Sequence, residues 1–425
     1  MIYPRLILFK FASGLLLVAL FIILSQCSER DRNNPLDPLN PNTQGRPIRP
    51  NVVSYQDTVV LSWQRLQLTS VVQYNIYRRL QHESSFSLIG SVDGGASEYV
   101  EVGAATDTIR YYRISALTSS FESPLSDSVQ IRPGPTYVWA IDFERGQLVK
   151  LTHDGAHELF RTGSYIRPLD IAVNPNDHSA ILIDPIYAEA NRYTGFGQLV
   201  GTFSIGRASA KIVIDPFDGS FWVMERDSAA VAHYAKSGEL VVRITGFVEP
   251  VDIEFDNQTR RVWVLDRAKG EIYDLDDNNI FLRFTGFRRA FDLALNNPDR
   301  KVWIADSNAV AIADMDFPQI VRRDGYVYAA RVVVNEATGQ AWVADWSERF
   351  GNSSLIKLSS QGEREFTLAG FVEPKSLAVN KSNGHCFVAE PDVRAFIEVD
   401  STGQIVSDIN LQGAYTRILV EHLTR

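Results

Sequence analysis

The chain has 425 residues, 45% apolar and 22% charged, with a formal net charge of −9. It is too long for one ordinary core, so at least two domains are expected. The acidic excess argues against a nucleic-acid partner, which wants a basic face, and two cysteines are too few for a disulfide framework.

In chain order, the first element is an address. Arg5 and Lys10 precede an apolar run from Phe11 to Leu24, 14 residues long. That is short of the roughly 20 a bilayer span needs and suits a secretory signal. The run ends in Leu24-Ser-Gln-Cys27, which resembles the lipobox of bacterial lipoproteins. Gln26 departs from the small residue usual before the cysteine. The resemblance implies that residues 1–26 are a signal peptide and that Cys27 is lipidated. The membrane would then be a partner through that lipid, and the folded part would lie in the cell envelope, outside the inner membrane. Mass spectrometry of the mature N-terminus checks this: an unmodified chain beginning at Met1 would defeat it. Residues 27–50 follow, with Pro35, Pro38, Pro41, Pro47 and Pro50 among Asn and Asp. With almost nothing apolar to bury, they are expected to form an extended, semi-rigid linker.

Residues 51–133 alternate like strands, with turn signals every ten residues or so. Val59 to Trp63, Tyr74 to Arg78, Tyr99 to Glu101, Tyr111 to Ala116 and Glu122 to Ser126 read as strands. Their order and spacing resemble a fibronectin type III domain, an immunoglobulin-like sandwich, with Trp63, Tyr112, Ile114 and Ala116 on its core positions. Arg110 stands where the family has its corner tyrosine. The resemblance implies a spacer or docking module.

From 134 onward one phrase recurs. Its clearest copies are Val262-Trp-Val-Leu-Asp266, Val302-Trp-Ile-Ala-Asp306 and Ala341-Trp-Val-Ala-Asp345. Looser copies end at Asp142, Asp184, Glu225 and Glu390, so the closing carboxylates step by 42, 41, 41, 40, 39 and 45 residues. A period near 40 is that of a four-stranded propeller blade. Each unit reads as an inner strand, a polar turn, the Trp phrase and two further strands. The pattern resembles propellers built on NHL-type repeats, across residues 134–425. Seven phrases imply seven blades, or six if the weak copy near Ile181 to Asp184 is not a blade. The C-terminal strand 415–422 is expected to pair with 138–142 and close the ring, removing two open edges. Trp139, Trp222, Trp263, Trp303 and Trp342, with Leu182 and Phe387 in two units, are expected to pack between blades. Cys386 reads as a small buried hydrophobe.

Strand direction puts two rings on one face. The outer ring is Asp142, Asp184, Glu225, Asp266, Asp306, Asp345 and Glu390, expected to accept backbone N–H groups in every unit. The ring near the axis is Asp170, Lys211, Asp252, Asp292, Arg331, Ser376 and Arg417. It reads either as a self-neutralising ion-pair girdle or as a pocket for a polar ligand at the channel mouth. His153 and His157 straddle the Asp154-Gly155 turn and read as a solvated loop, and no histidine is expected at the inner-ring position. The leading expectation is a monomeric, lipid-anchored scaffold that contacts an envelope protein, peptide or glycan and needs no cofactor. The rival is a lactonase-like hydrolase or lyase, with Asp170, Asp252 and Asp292 around Ca²⁺ or another divalent ion.

Overall fold

The structure, a computed structural model, describes residues 32–55, 57–105, 108–134, 136–349, 351–409 and 413–422. The signal sequence and Cys27 lie outside the described residues. Among the described residues no helix is long and apolar enough to cross a membrane. The chain is almost wholly β and divides into two compact units, with the main boundary between Ile131 and Arg132.

In the smaller unit, the described part of the Pro-rich stretch is turn-rich and compact, not extended. Leu36, Asn40 and Thr43 are buried there. The reason is local side-chain bonding: Asn40 Nδ2 donates to the carbonyls of Arg32 and Asn34, while its Oδ1 accepts from the N–H groups of Asn42 and Thr43. Such Asx-type bonding folds a chain that has little to bury.

Seven strands follow in two sheets. Ile48–Tyr55, Thr58–Gln64 and Glu98–Glu101 form one; Ser87–Asp93, Val71–Leu80, Arg110–Thr118 and Val129–Ile131 form the other. Val59, Leu61 and Trp63 alternate inward along their strand. Trp63 meets Tyr74 of the opposite sheet, ring centroids 5.2 Å apart. Residues 122–126 are not a full strand. Ser123 and Ser126 each turn the hydroxyl inward, accepting the N–H of Ala116 and Ile114 at 2.9 and 3.0 Å, and the regular edge pairing waits until Val129–Ile131. At the corner, buried Arg110 pairs with Glu101 at 3.0 Å, and the Tyr112 hydroxyl donates to the same carboxylate at 2.8 Å.

The larger unit is built from antiparallel sheets. Five have four strands each, and one has six. The six-stranded one carries two copies of the repeated phrase, those ending at Asp306 and Asp345. Its strand Lys301–Asp314 folds back on itself at Ser307, whose φ is 52°. The Met315 N–H donates to the Arg300 carbonyl, and Lys301 meets Asp314. Ile320–Val334 then passes from one repeat to the next, pairing first with residues 309–313 and then with Ala341–Asp345.

The Trp phrases are buried on both faces, because each lies in mid-sheet with a neighbouring sheet on either side. That is why they read as continuous apolar runs rather than alternating ones. Each aromatic fills the gap to the following sheet: Trp139 packs with Leu182 and Tyr193, Trp263 with Val302 and Ile304, and Trp342 with Cys386 and Val388. Phe387 packs with Val138 and Ala140, so the last sheet meets the first. There Tyr415–His422 pairs antiparallel with Thr136–Asp142, Ile418 opposite Ala140. Pairing the two ends of the chain in one sheet leaves no open edge between the first and last repeats.

Candidate functional site

The innermost strands of these sheets touch one another in sequence round a central axis. Between them lies a cavity of about 380 Å³. The seven axial residues sit where these strands begin. In five of the strands the register slips just before the axial residue: between Ser209 and Lys211, Pro250 and Asp252, Ala290 and Asp292, Ala329 and Arg331, and Tyr415 and Arg417. A bulge re-aims a side chain, and here it turns the axial one sideways.

Each axial side chain reaches the next innermost strand. Asp170 Oδ2 accepts the Ile212 N–H at 3.0 Å, and Lys211 Nζ meets Asp252 Oδ1 at 2.5 Å. Asp252 Oδ2 accepts the Leu293 N–H at 2.8 Å, and Asp292 Oδ2 accepts the Val332 N–H at 2.9 Å. Arg331 Nε donates to the Lys375 carbonyl at 2.9 Å, and the Ser376 hydroxyl accepts the Ile418 N–H at 3.1 Å. Arg417 Nε lies 2.7 Å from Asp170 Oδ1, an ion pair without hydrogen-bond alignment. The seven links run in one direction and close on themselves. Only two of them join opposite charges, so the set is a side-chain hoop between strands more than an ion-pair girdle. Each link meets a buried N–H, carbonyl or charge that is costly to leave bare.

The outer carboxylates hold turns. Asp184, Asp266, Asp306, Asp345 and Glu390 each accept two successive backbone N–H groups from the loop that enters the innermost strand, for example Val248 and Glu249 on Asp266 at 2.7 and 3.0 Å. Among the described residues Asp142 and Glu225 depart from this pattern: Asp142 pairs with Arg145 and Arg161 and accepts the Arg145 N–H at 3.3 Å, and Glu225 pairs with Arg243.

The carboxylates of Asp170, Asp252 and Asp292 do not form a metal cradle. Each is engaged by the neighbouring strand, and among the described residues no three His, Cys, Asp or Glu side chains are placed to hold an ion. The residues present do not fit a divalent ion that needs several converging oxygens.

One residue was missed by sequence reasoning. Glu254 lies two residues beyond Asp252 on the same strand and lines the cavity. The matching positions on the other strands are Ala172, Val213, Ala294, Val333, Ala378 and Leu419, all lining the same cavity. An acid in an otherwise aliphatic tier was the available signal. Burial, and then the charge of Asp252, push the Glu254 carboxyl up to about 8. The same two causes push Asp292 up to about 7. Burial disfavours the Lys211 ammonium, yet Asp252 beside it carries it above its usual range.

One histidine differs from expectation. His153 is 1% exposed, not solvated, and its Nδ1 lies 2.7 Å from Thr136 Oγ1. His422 sits on an innermost strand and lines the opposite end of the cavity. Burial, then Lys381, pull it down to about 4. Cys386 is fully buried, and burial pushes its thiol up.

These shifts set the pH dependence of stability. Glu254 binds a proton more tightly folded than unfolded, so its stabilising share is complete below its ordinary 4.5 and lost as pH rises through about 8. His422 acts with the opposite sign: its share is present above 6.5 and lost as pH falls through about 4. The expected result is a melting temperature that falls between about pH 6.5 and about pH 8, and a Glu254→Gln variant in which that fall is smaller by about 5 °C. Equal slopes in the two proteins would show that Glu254 titrates normally.

On the face where the innermost strands begin, three half-buried aromatics form a row, Phe291 tilted 42° to Tyr328 and Tyr328 stacked on Trp346. Phe291 and Tyr328 have centroids 4.6 Å apart, and Tyr328 lies over Trp346 at 6.0 Å with planes 13° apart. Arg267 covers Phe291 at 5.3 Å, while Arg331 and Lys375 lie 5.3 and 5.1 Å from the Trp346 ring.

No protein-family profile matches the sequence, and no curated protein matches it. Solved structures do. A functionally unknown protein from Desulfotomaculum acetoxidans is similar at 13% identity and a TM-score of 0.57, covering 68% of this chain and 100% of that one. A Bacteroides fragilis protein assigned as a 6-phosphogluconolactonase is similar at 8% identity and 0.54, over 67% of this chain and 97% of its own. A Lactobacillus plantarum protein is similar at 10% and 0.53, over 67% and 99%. At such identities the likeness shows the fold alone, and that fold, with its ring of antiparallel sheets, is a β-propeller.

Proposed function

We propose that the chain is an exported, lipid-anchored, monomeric binding protein that uses the aromatic face of its propeller to contact a partner in the cell envelope. In this reading Cys27 carries the lipid, a fibronectin type III-like module precedes the propeller, and the propeller is of the NHL type with seven blades. The three-plus-four strand division of the smaller unit supports the module, and the seven axial links, which advance one repeat each, support the blade number; the lipid on Cys27 rests on the Leu24-Ser-Gln-Cys27 sequence. The row of Phe291, Tyr328 and Trp346 carries the binding reading. Flat rings flanked by cations suit a partner with a flat apolar face and nearby acidic groups, such as an acidic glycan or peptide.

The rival reading is a metal-dependent hydrolase or lyase. It needs carboxylates free to converge, and the axial acids are spent on neighbouring strands. One experiment separates the two: the chelated protein is melted with Ca²⁺, then with Zn²⁺. No saturable shift is expected. A rise of several degrees that Asp252→Asn abolishes would overturn the scaffold reading. A Tyr328→Ala variant, in turn, should melt normally and lose retention on immobilised acidic glycan or peptide. Retention equal to the unaltered chain would remove the aromatic face from the account.

A further inference from the structure

We infer that the channel binds a small organic ammonium ion, with Glu254 as its counter-charge and the surrounding aliphatic tier against its apolar body. This goes beyond the reading above, which concerns the face around the channel mouth.

The argument is one of matched charges. Four carboxylates and three cations gather at this end of the cavity: Asp170, Asp252, Asp292 and Glu254 against Lys211, Arg331 and Arg417. Lys211 is taken by Asp252 at 2.5 Å, and Arg417 by Asp170 at 2.7 Å. Arg331 acts on Asp292. Glu254 is left over. Lys211 and Arg417 act on it from a distance, but among the described residues no ammonium or guanidinium nitrogen lies within 4.0 Å of its carboxyl. A half-buried carboxylate that lines a narrow, mostly aliphatic cavity and has no ion pair of its own favours a proton or a cation from outside.

The walls choose the kind of cation. A metal ion needs several oxygen ligands. Beside Glu254 the tier offers Ala172, Val213, Ala294, Val333, Ala378 and Leu419, which have none. An ammonium needs only one carboxylate and gains from apolar walls around its carbon body. The 380 Å³ of space is at the small end of the range for organic ligands. On binding, the protonated Glu254 gives up its proton to solvent as the ammonium arrives. The carboxylate and the ammonium then pair, and one proton leaves for each ligand bound.

Calorimetry on the intact chain tests this, with benzylammonium and benzyl alcohol as probes near pH 7 in two buffers of different ionisation enthalpy. Benzylammonium is expected to bind saturably and release about one proton, and benzyl alcohol to bind at least about ten-fold more weakly with no release. Glu254→Gln should lose about ten-fold or more in benzylammonium affinity, together with the proton release. Val333→Phe, which fills the lumen beside an intact Glu254, should also weaken binding. The inference is overturned if the alcohol binds as well as the ammonium, or if Glu254→Gln binds unchanged. It is equally overturned if the folded protein, checked by its melting curve, binds no benzylammonium. Such a failure would leave the aromatic-face reading standing, since retention through Tyr328 is measured separately.

Discussion

Trp303→Ala should destabilise the larger unit by ~3–5 kcal/mol, which for a body of this size is a fall of about 10 °C in melting temperature. Trp303 is 1% exposed and packs with Val332, Val334 and Ala341 of the next repeat. Removing the ring therefore empties a space between two successive repeats that neither can fill alone, because each is held by its own ladder and by its other neighbour. Leu282→Ala is the control. Leu282 lies on an outer strand and is 52% exposed, so its loss should cost no more than about 0.5 kcal/mol. Similar melting points for the two variants would mean that the repeated aromatic is not the packing element between repeats.

The second large effect belongs to the closing strand. Glu421 is 3% exposed and serves three donors from other strands and turns: Trp139 Nε1 at 2.6 Å, Lys150 Nζ at 2.9 Å and His178 Nδ1 at 2.8 Å. Burial pulls the Lys150 ammonium down, and Glu421 is what holds it up. Glu421→Ala leaves that ammonium without a counter-charge, held only by the Gly195 carbonyl at 3.0 Å and the Tyr137 and Trp139 rings, and leaves the Trp139 N–H without its acceptor, for a loss of ~3–5 kcal/mol. The same substitution loosens Tyr415–His422 from Thr136–Asp142, the pairing that joins the two ends of the ring. Adding Lys150→Met to Glu421→Ala should recover part of the loss, because it removes the uncompensated charge. If the double variant melts below the single one, the unpaired ammonium is not the source of the cost.

Much of the fold was legible in the sequence because it is written in local, repeated terms. The Trp phrase, its period near 40 and its closing carboxylate announce a mid-sheet strand buried on both faces and a turn that needs an acceptor. Asp266 and Asp345 do accept the paired N–H groups such a turn leaves open. Other features were less legible. The Pro-rich stretch folds up because Asn40 gathers four backbone groups, which composition does not reveal. His153 looked like part of a solvated turn and is buried beside Thr136. Residues 122–126 alternate like a strand, yet serine hydroxyls stand in for part of the ladder.

The sequence by itself determined that this is an all-β chain of repeated sheets and which residues stand near the axis, since both follow from periods of two and of about forty. Only the tertiary structure decided what those axial residues do. Asp252 sits between Lys211, 41 residues earlier, and the Leu293 N–H, 41 residues later. Its aim is set by a bulge at Pro250 that leaves no mark on hydropathy. Glu254 is left without a cation for the same reason: charges are matched across strands that lie side by side in space, and the order of residues along the chain does not say which neighbour will be satisfied first.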